Sequence, residues 1–161
     1  MAVAWIAPDG YPTSLALSII DALYSINARY EGVVNVVNRY LRYRASQQGD
    51  PNTDGLIELF GTFEHVGGSD GWADIVDNHW RTSTRSGILK SEAVREEAHV
   101  LAKHGVWRVT DIDAAALEGR LEARVIDWAI SAMFTAAYSL VEPYIAAAET
   151  TRVIHATSPW Q

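Results

Sequence analysis

The chain contains no cysteine. That removes a disulfide framework and any thiolate metal site together. It also lacks an excess of positive charge: 13 lysines and arginines stand against 20 aspartates and glutamates, for a net charge of -7. Tight, nonspecific binding to nucleic acid needs a positive surface that displaces counterions, so that class is disfavoured, although a local basic patch is still allowed. No apolar run approaches the roughly 20 residues that span a bilayer. The nearest, Ala129 to Val141, is too short and falls in a helical pattern. Residues Met1 to Gly10 show no basic stretch followed by an apolar core, so no signal peptide is expected. The absence of cysteine suits a reducing compartment, and a cytoplasmic location without a membrane is expected.

Strand alternation appears nowhere convincingly, whereas helical spacing recurs along the chain. The expected fold class is all-α, a single helical domain over residues 1–161, which is long enough to bury a real core. Pro8, Asp9-Gly10 and Pro12 are turn signals and make 1–13 an irregular arm. Thr13 or Ser14 can cap a first helix whose apolar residues cover most of its circumference, the mark of a buried, central helix. A second helix is expected from Glu31 to Arg44, facing inward through Val33, Val34, Val37, Tyr40 and Leu41. Its arginines Arg39, Arg42 and Arg44 suit the helix dipole.

Thr53 is expected to cap a third helix with Leu56, Ile57, Leu59, Phe60 and Phe63 inside, stopped by Gly67-Gly68. Ser69 would cap a short fourth helix. A polar connector, Arg81 to Gly87, leads into an amphipathic helix from Ile88 to His104 that ends at Gly105. Thr110 to Asp113 reads as the start of a sixth helix.

The chemistry-bearing residues are scattered. Glu96 and His99 have the i, i+3 spacing of a di-iron ligand pair, but that site needs a second copy, and the chain has none. His99 and His104 are five apart and fall on different faces. His65, His79 and His155 have no obvious partners. No metal and no cofactor are expected. Gly67-Gly68-Ser69 lacks the Lys-Ser/Thr of a phosphate loop and reads as a helix stop. Asp21 and Asp127 lie in helices that read as buried, where a carboxylate needs a partner or a raised pKa. Pairing with an arginine is the favoured expectation. Arg81, Arg85 and Lys90, with Thr82, Ser83, Thr84 and Ser86 between them, form a local basic and hydroxyl cluster ahead of a helix. It can be read as a phosphate contact or as a plain solvated loop.

In their order, Ser14–Asn27, the helix to Tyr40, and Arg85–Val94 leading to Gly105 resemble the N-terminal part of the helix-hairpin-helix base-excision DNA glycosylases, the endonuclease III-like group. The resemblance covers residues 11–113. It implies a compact multi-helix domain of that fold, with Asn27 as the polar residue that wedges into a duplex. Lys90-Ser91-Glu92-Ala93 resembles the family's helix start before its hairpin.

The last third departs from the pattern. Leu117-Glu118-Gly119-Arg120-Leu121 replaces the hairpin's proline and second glycine, and a leucine resists the backbone geometry glycine permits. Ala123 stands where bifunctional members use a lysine. Thr150-Thr151-Arg152-Val153 stands where the family has its catalytic aspartate, preceded by Glu149.

Three readings follow from this. The first is a DNA-binding or DNA-repair-related domain, catalytically degenerate, touching double-stranded DNA through Asn27, Arg29, Arg81, Arg85, Lys90, Gly119 and Arg120. The second is a helical module for a protein partner, suggested by the acidic balance and the six tryptophans, with Trp5, Trp160 and Tyr144 as its surface. The third is an active DNA N-glycosylase with Glu149 or Asp127 as the carboxylate, flipping a base and cleaving its N-glycosidic bond.

Overall fold

Ser14 starts the first helix. Its backbone is extended, and its hydroxyl oxygen accepts the Leu17 N–H, which has no partner inside the helix. The same hydroxyl donates to the Pro51 carbonyl at 2.8 Å, tying the cap to a distant turn. Helix α1 (Leu15–Ser25) then buries all eleven of its residues. This protein is described by a computed structural model over residues 10–84 and 86–112. Among the described residues the fold is all-α, five helices with α2, α3 and α5 packed directly on α1, and one isolated antiparallel bridge between Arg81 and Leu89.

Helix α2 (Tyr30–Ser46) faces the core through Val33, Val36, Val37 and Tyr40. Val34, expected inside, is exposed, and Val36 takes the inward position instead. A 3-10 turn (Pro51–Thr53) leads to α3 (Leu56–His65). Thr53 does not cap α3. Its hydroxyl closes the preceding turn on the Asp50 carbonyl, and the helix begins after Gly55, whose N–H donates to the Glu58 carboxylate at 2.8 Å. Ile57 faces solvent rather than the core. Gly67 and Gly68, with φ of 81° and 102°, end α3 as expected.

Helix α4 (Ser69–Ile75) begins after Gly68, so Ser69 is helical rather than a cap, and its hydroxyl donates to Glu92 of the last helix. Helix α5 (Lys90–Lys103) starts two residues later than its apolar pattern suggests. Ile88 and Leu89 belong to the pinched end of the connector, where the Thr82 N–H donates to the Ile88 carbonyl. Gly105 closes α5 with a φ of 77°. Asp111 and Ile112 are helical, and the rest of the expected sixth helix lies outside the described residues.

Trp72 is the centre of the core. It is fully buried, stacks on Phe63 with centroids 5.4 Å apart, and lies about equally far from Tyr24 (6.0 Å) and Tyr40 (6.1 Å). Removing such an aromatic costs about 3–5 kcal/mol. Ion pairs also fasten the second helix to distant chain. Arg44 grips Asp54 with two hydrogen bonds, at 2.6 and 3.0 Å, and the Tyr40 hydroxyl donates to the same carboxylate. Arg39 reaches Asp77 and the Val76 carbonyl. Arg44 lies in the last turn of α2, as the dipole favours, and both arginines also bridge to distant segments.

Candidate functional site

The α1–α2 loop and the connector before α5 face each other across an open cavity of about 920 Å³. Asn27, Ala28 and Arg29 form one wall. Glu31, Gly32 and Asn35 on the first turns of α2 continue it. Trp80, Arg81, Thr82, Ser83 and Thr84 form the other wall, and Lys90 closes the floor. Each wall has a local cause. α1 ends at Ser25, and Asn27 adopts a φ of 52°, a left-handed conformation that asparagine tolerates better than most residues. This turns the chain sharply into α2. The connector is pinched by the Arg81–Leu89 bridge and by the Arg81 guanidinium, which donates to the Gly87 carbonyl at 2.8 Å.

Four residues expected to act together, Asn27, Arg29, Arg81 and Lys90, thus line one groove although they come from three separate stretches of chain. Arg85, Gly119, Arg120, Asp127 and Glu149 lie outside the described residues, as do Trp5, Tyr144 and Trp160. Lys90 departs from its expected role. It was expected on the surface, as a contact for phosphate. Instead it is buried, and its Nζ donates to the carbonyls of Tyr24 (2.9 Å) and Ile26 (2.5 Å) at the end of α1. It sits over the rings of Trp80 and Tyr24, 5.5 and 5.9 Å from their centroids. Burial lowers its pKa to about 8.

Five groove residues were missed from sequence: Ala28, Glu31, Gly32, Asn35 and Trp80. One signal was present. A glycine inside a helical pattern points to close packing, and a Cβ on Gly32 would come within 2.3 Å of the Trp80 ring. Trp80 is 40% exposed, so an aromatic face is presented to the cavity beside two arginines and three hydroxyls. Such a lining can hold phosphate oxygens and a planar group together.

Two carboxyl groups in the core stand apart from this groove's lining. Among the described residues no arginine pairs with Asp21. It is buried, its Oδ1 has no hydrogen-bond partner, and burial raises its pKa to about 6. Glu97 on α5 is fully buried, neither oxygen is hydrogen-bonded among the described residues, and burial raises its pKa to about 7. His99 stacks on Phe60 at 4.6 Å, and no cluster of metal ligands occurs among the described residues.

A family model described as "Domain of unknown function (DUF8548)" matches residues 1–144. The chain belongs to that family. No curated protein and no solved structure matches it. Among the described residues no helix is long and apolar enough to cross a membrane.

Proposed function

We propose that the groove between the α1–α2 loop and the connector binds DNA, and that this member of the DUF8548 family recognises DNA without efficient base excision. The observation that carries this reading is the convergence of Asn27, Arg29 and Arg81 on one open cavity with an exposed indole and three hydroxyls. The resemblance to the helix-hairpin-helix glycosylases supports it, because it assigns the duplex wedge to Asn27. The altered residues at Glu118, Leu121, Ala123 and Thr150 support recognition over excision. The alternative of an active enzyme rests on Asp127 and Glu149.

The groove's charge sets the expected strength. Among the described residues Arg29 and Arg81 are its exposed cations, Glu31 opposes them, and Lys90 is buried. Two phosphate contacts correspond to a log–log salt slope of about -2, against about -6 or steeper for a protein that grips many phosphates. Titrating a fluorescent duplex that carries an abasic-site analogue, across a salt series, tests this. Binding with that shallow slope is the expected result. No binding at micromolar protein in low salt would refute the reading.

A second reading has its own observation. Ile57 is 62% exposed and Trp107 41%, and the Trp107 ring packs edge-on to Phe60 at 6.4 Å. We propose this apolar edge of α3 as the contact if the chain serves a protein partner. Loss of partner binding on Ile57→Asp, with duplex binding unchanged, would support it.

A further inference from the structure

The two walls of the groove do not hydrogen-bond to each other directly through any bond among the described residues, yet both are fastened to one residue. The backbone N–H of Lys90 donates to the Trp80 carbonyl at 2.8 Å, which anchors the connector wall. Its side chain runs the other way and donates to Tyr24 O and Ile26 O, which anchors the end of α1 immediately before Asn27. Those carbonyls are among the last of a helix and have no partner within it. The ammonium satisfies them, and its position at a helix C-terminus suits the dipole. Its ring contacts with Tyr24 and Trp80 fix it laterally.

We infer that Lys90 is a positioning residue: it sets the distance between the Asn27–Arg29 wall and the Trp80–Thr84 wall, and so the width of the groove. The arrangement holds whatever the groove binds, so the inference stands independently of the DNA reading. A lysine that only packed against the core would hold neither wall. A lysine that only bound phosphate would lie open to solvent, and this one is 2% exposed. Among the described residues the other charged groups facing the same cavity are Arg29 from the α1–α2 loop, Glu31 from α2 and Arg81 from the connector; Tyr24 faces the ammonium from α1. None of them makes an ion pair with it, so the two carbonyls carry the attachment.

The chain has two lysines, Lys90 and Lys103, and the second is exposed on the last turn of α5. Reductive methylation of the native protein, read by peptide mass spectrometry, therefore compares a pinned amine with an open one in the same tube. Lys103 should be modified at least about tenfold faster than Lys90, since the Lys90 amine reacts only when the groove opens. Equal rates would overturn the inference, and this result does not depend on any variant folding.

The second arm is Lys90→Met, with amide hydrogen exchange measured in the absence of ligand. Exchange should rise in both the 24–29 and the 80–84 segments while α3 and α4 keep their protection. A rise in one segment alone, a uniform rise along the chain, or no change would each overturn the positioning role. If both segments loosen and the wild-type protein binds no duplex, the DNA reading falls and the role of Lys90 remains.

Discussion

Glu97 makes an unusual demand on the folded chain, and its removal should change how stability depends on pH. The side chain is fully buried with neither oxygen hydrogen-bonded among the described residues, and its pKa rises from 4.5 to about 7 because burial disfavours the charge. The folded state therefore binds a proton that the unfolded state has released whenever the pH lies between these values. Stability falls as pH rises through that window and levels off above it. At about 1.4 kcal/mol for each tenfold difference in proton affinity, the gap corresponds to about 3 kcal/mol between the two ends. For a chain of this size that is roughly 5–10 °C in melting temperature between pH 5 and pH 8.

Glu97→Gln keeps the shape and cannot ionise, so its melting temperature should lack that share of the decline. Glu97→Met, which also removes the unsatisfied oxygens, should melt higher than wild type at pH 8. Thermal unfolding by circular dichroism at half-unit steps from pH 4.5 to 8.5 measures all three proteins. Asp21 contributes a decline of the same sign between 3.8 and about 6, and it does so in every protein of the set. Parallel curves for wild type and Glu97→Gln would refute the reasoning, because they would mean that Glu97 has the same proton affinity folded and unfolded.

Three further outcomes are expected. Asp54→Ala removes the carboxylate that holds Arg44 and Tyr40 and should cost about 3–5 kcal/mol, seen as a lower denaturation midpoint, because breaking a buried pair strands its charged partner. Gly32→Ala adds about 1 kcal/mol of helix propensity but pushes on the Trp80 ring; stability should hold within a few degrees while duplex affinity drops and tryptophan emission shifts, and unchanged emission would count against the packing described. Arg29→Ala with Arg81→Ala should flatten the salt slope of duplex binding from about -2 towards zero, and a slope unaffected by both changes would remove these arginines from the contact surface.

Local rules carried much of the fold. Ser14 as a cap, the apolar circumference of α1, the Gly67-Gly68 stop and Gly105 are all legible because each depends on neighbouring residues or on a backbone angle. What could not be read depends on distant chain. Val34, Ile57 and Ile88 are apolar yet exposed, because helical phase alone leaves a turn's worth of freedom in which face turns inward. Lys90 and Glu97 are polar residues of an amphipathic helix yet are buried, and the partners of Lys90 come from the end of α1, far away in sequence. The site followed the same division. The segments that form the groove were identified from residue type, and the resemblance pointed to Asn27. The inward turn of Lys90 and the place of Trp80 against Gly32 needed the tertiary structure.

The complete burial of α1 also bears on the chain before it folds. From Ser14 to Ala28 the sequence carries a single charged side chain, Asp21. An eleven-residue helix has little stability alone in water, so during synthesis this apolar stretch waits for α2 to α5 to enclose it. Exposed segments of this composition associate with one another unless a charge interrupts them. Asp21 is thus the one charge that interrupts the newborn segment, and a neutral residue at position 21 should stabilise the helix while making the nascent chain more prone to aggregate.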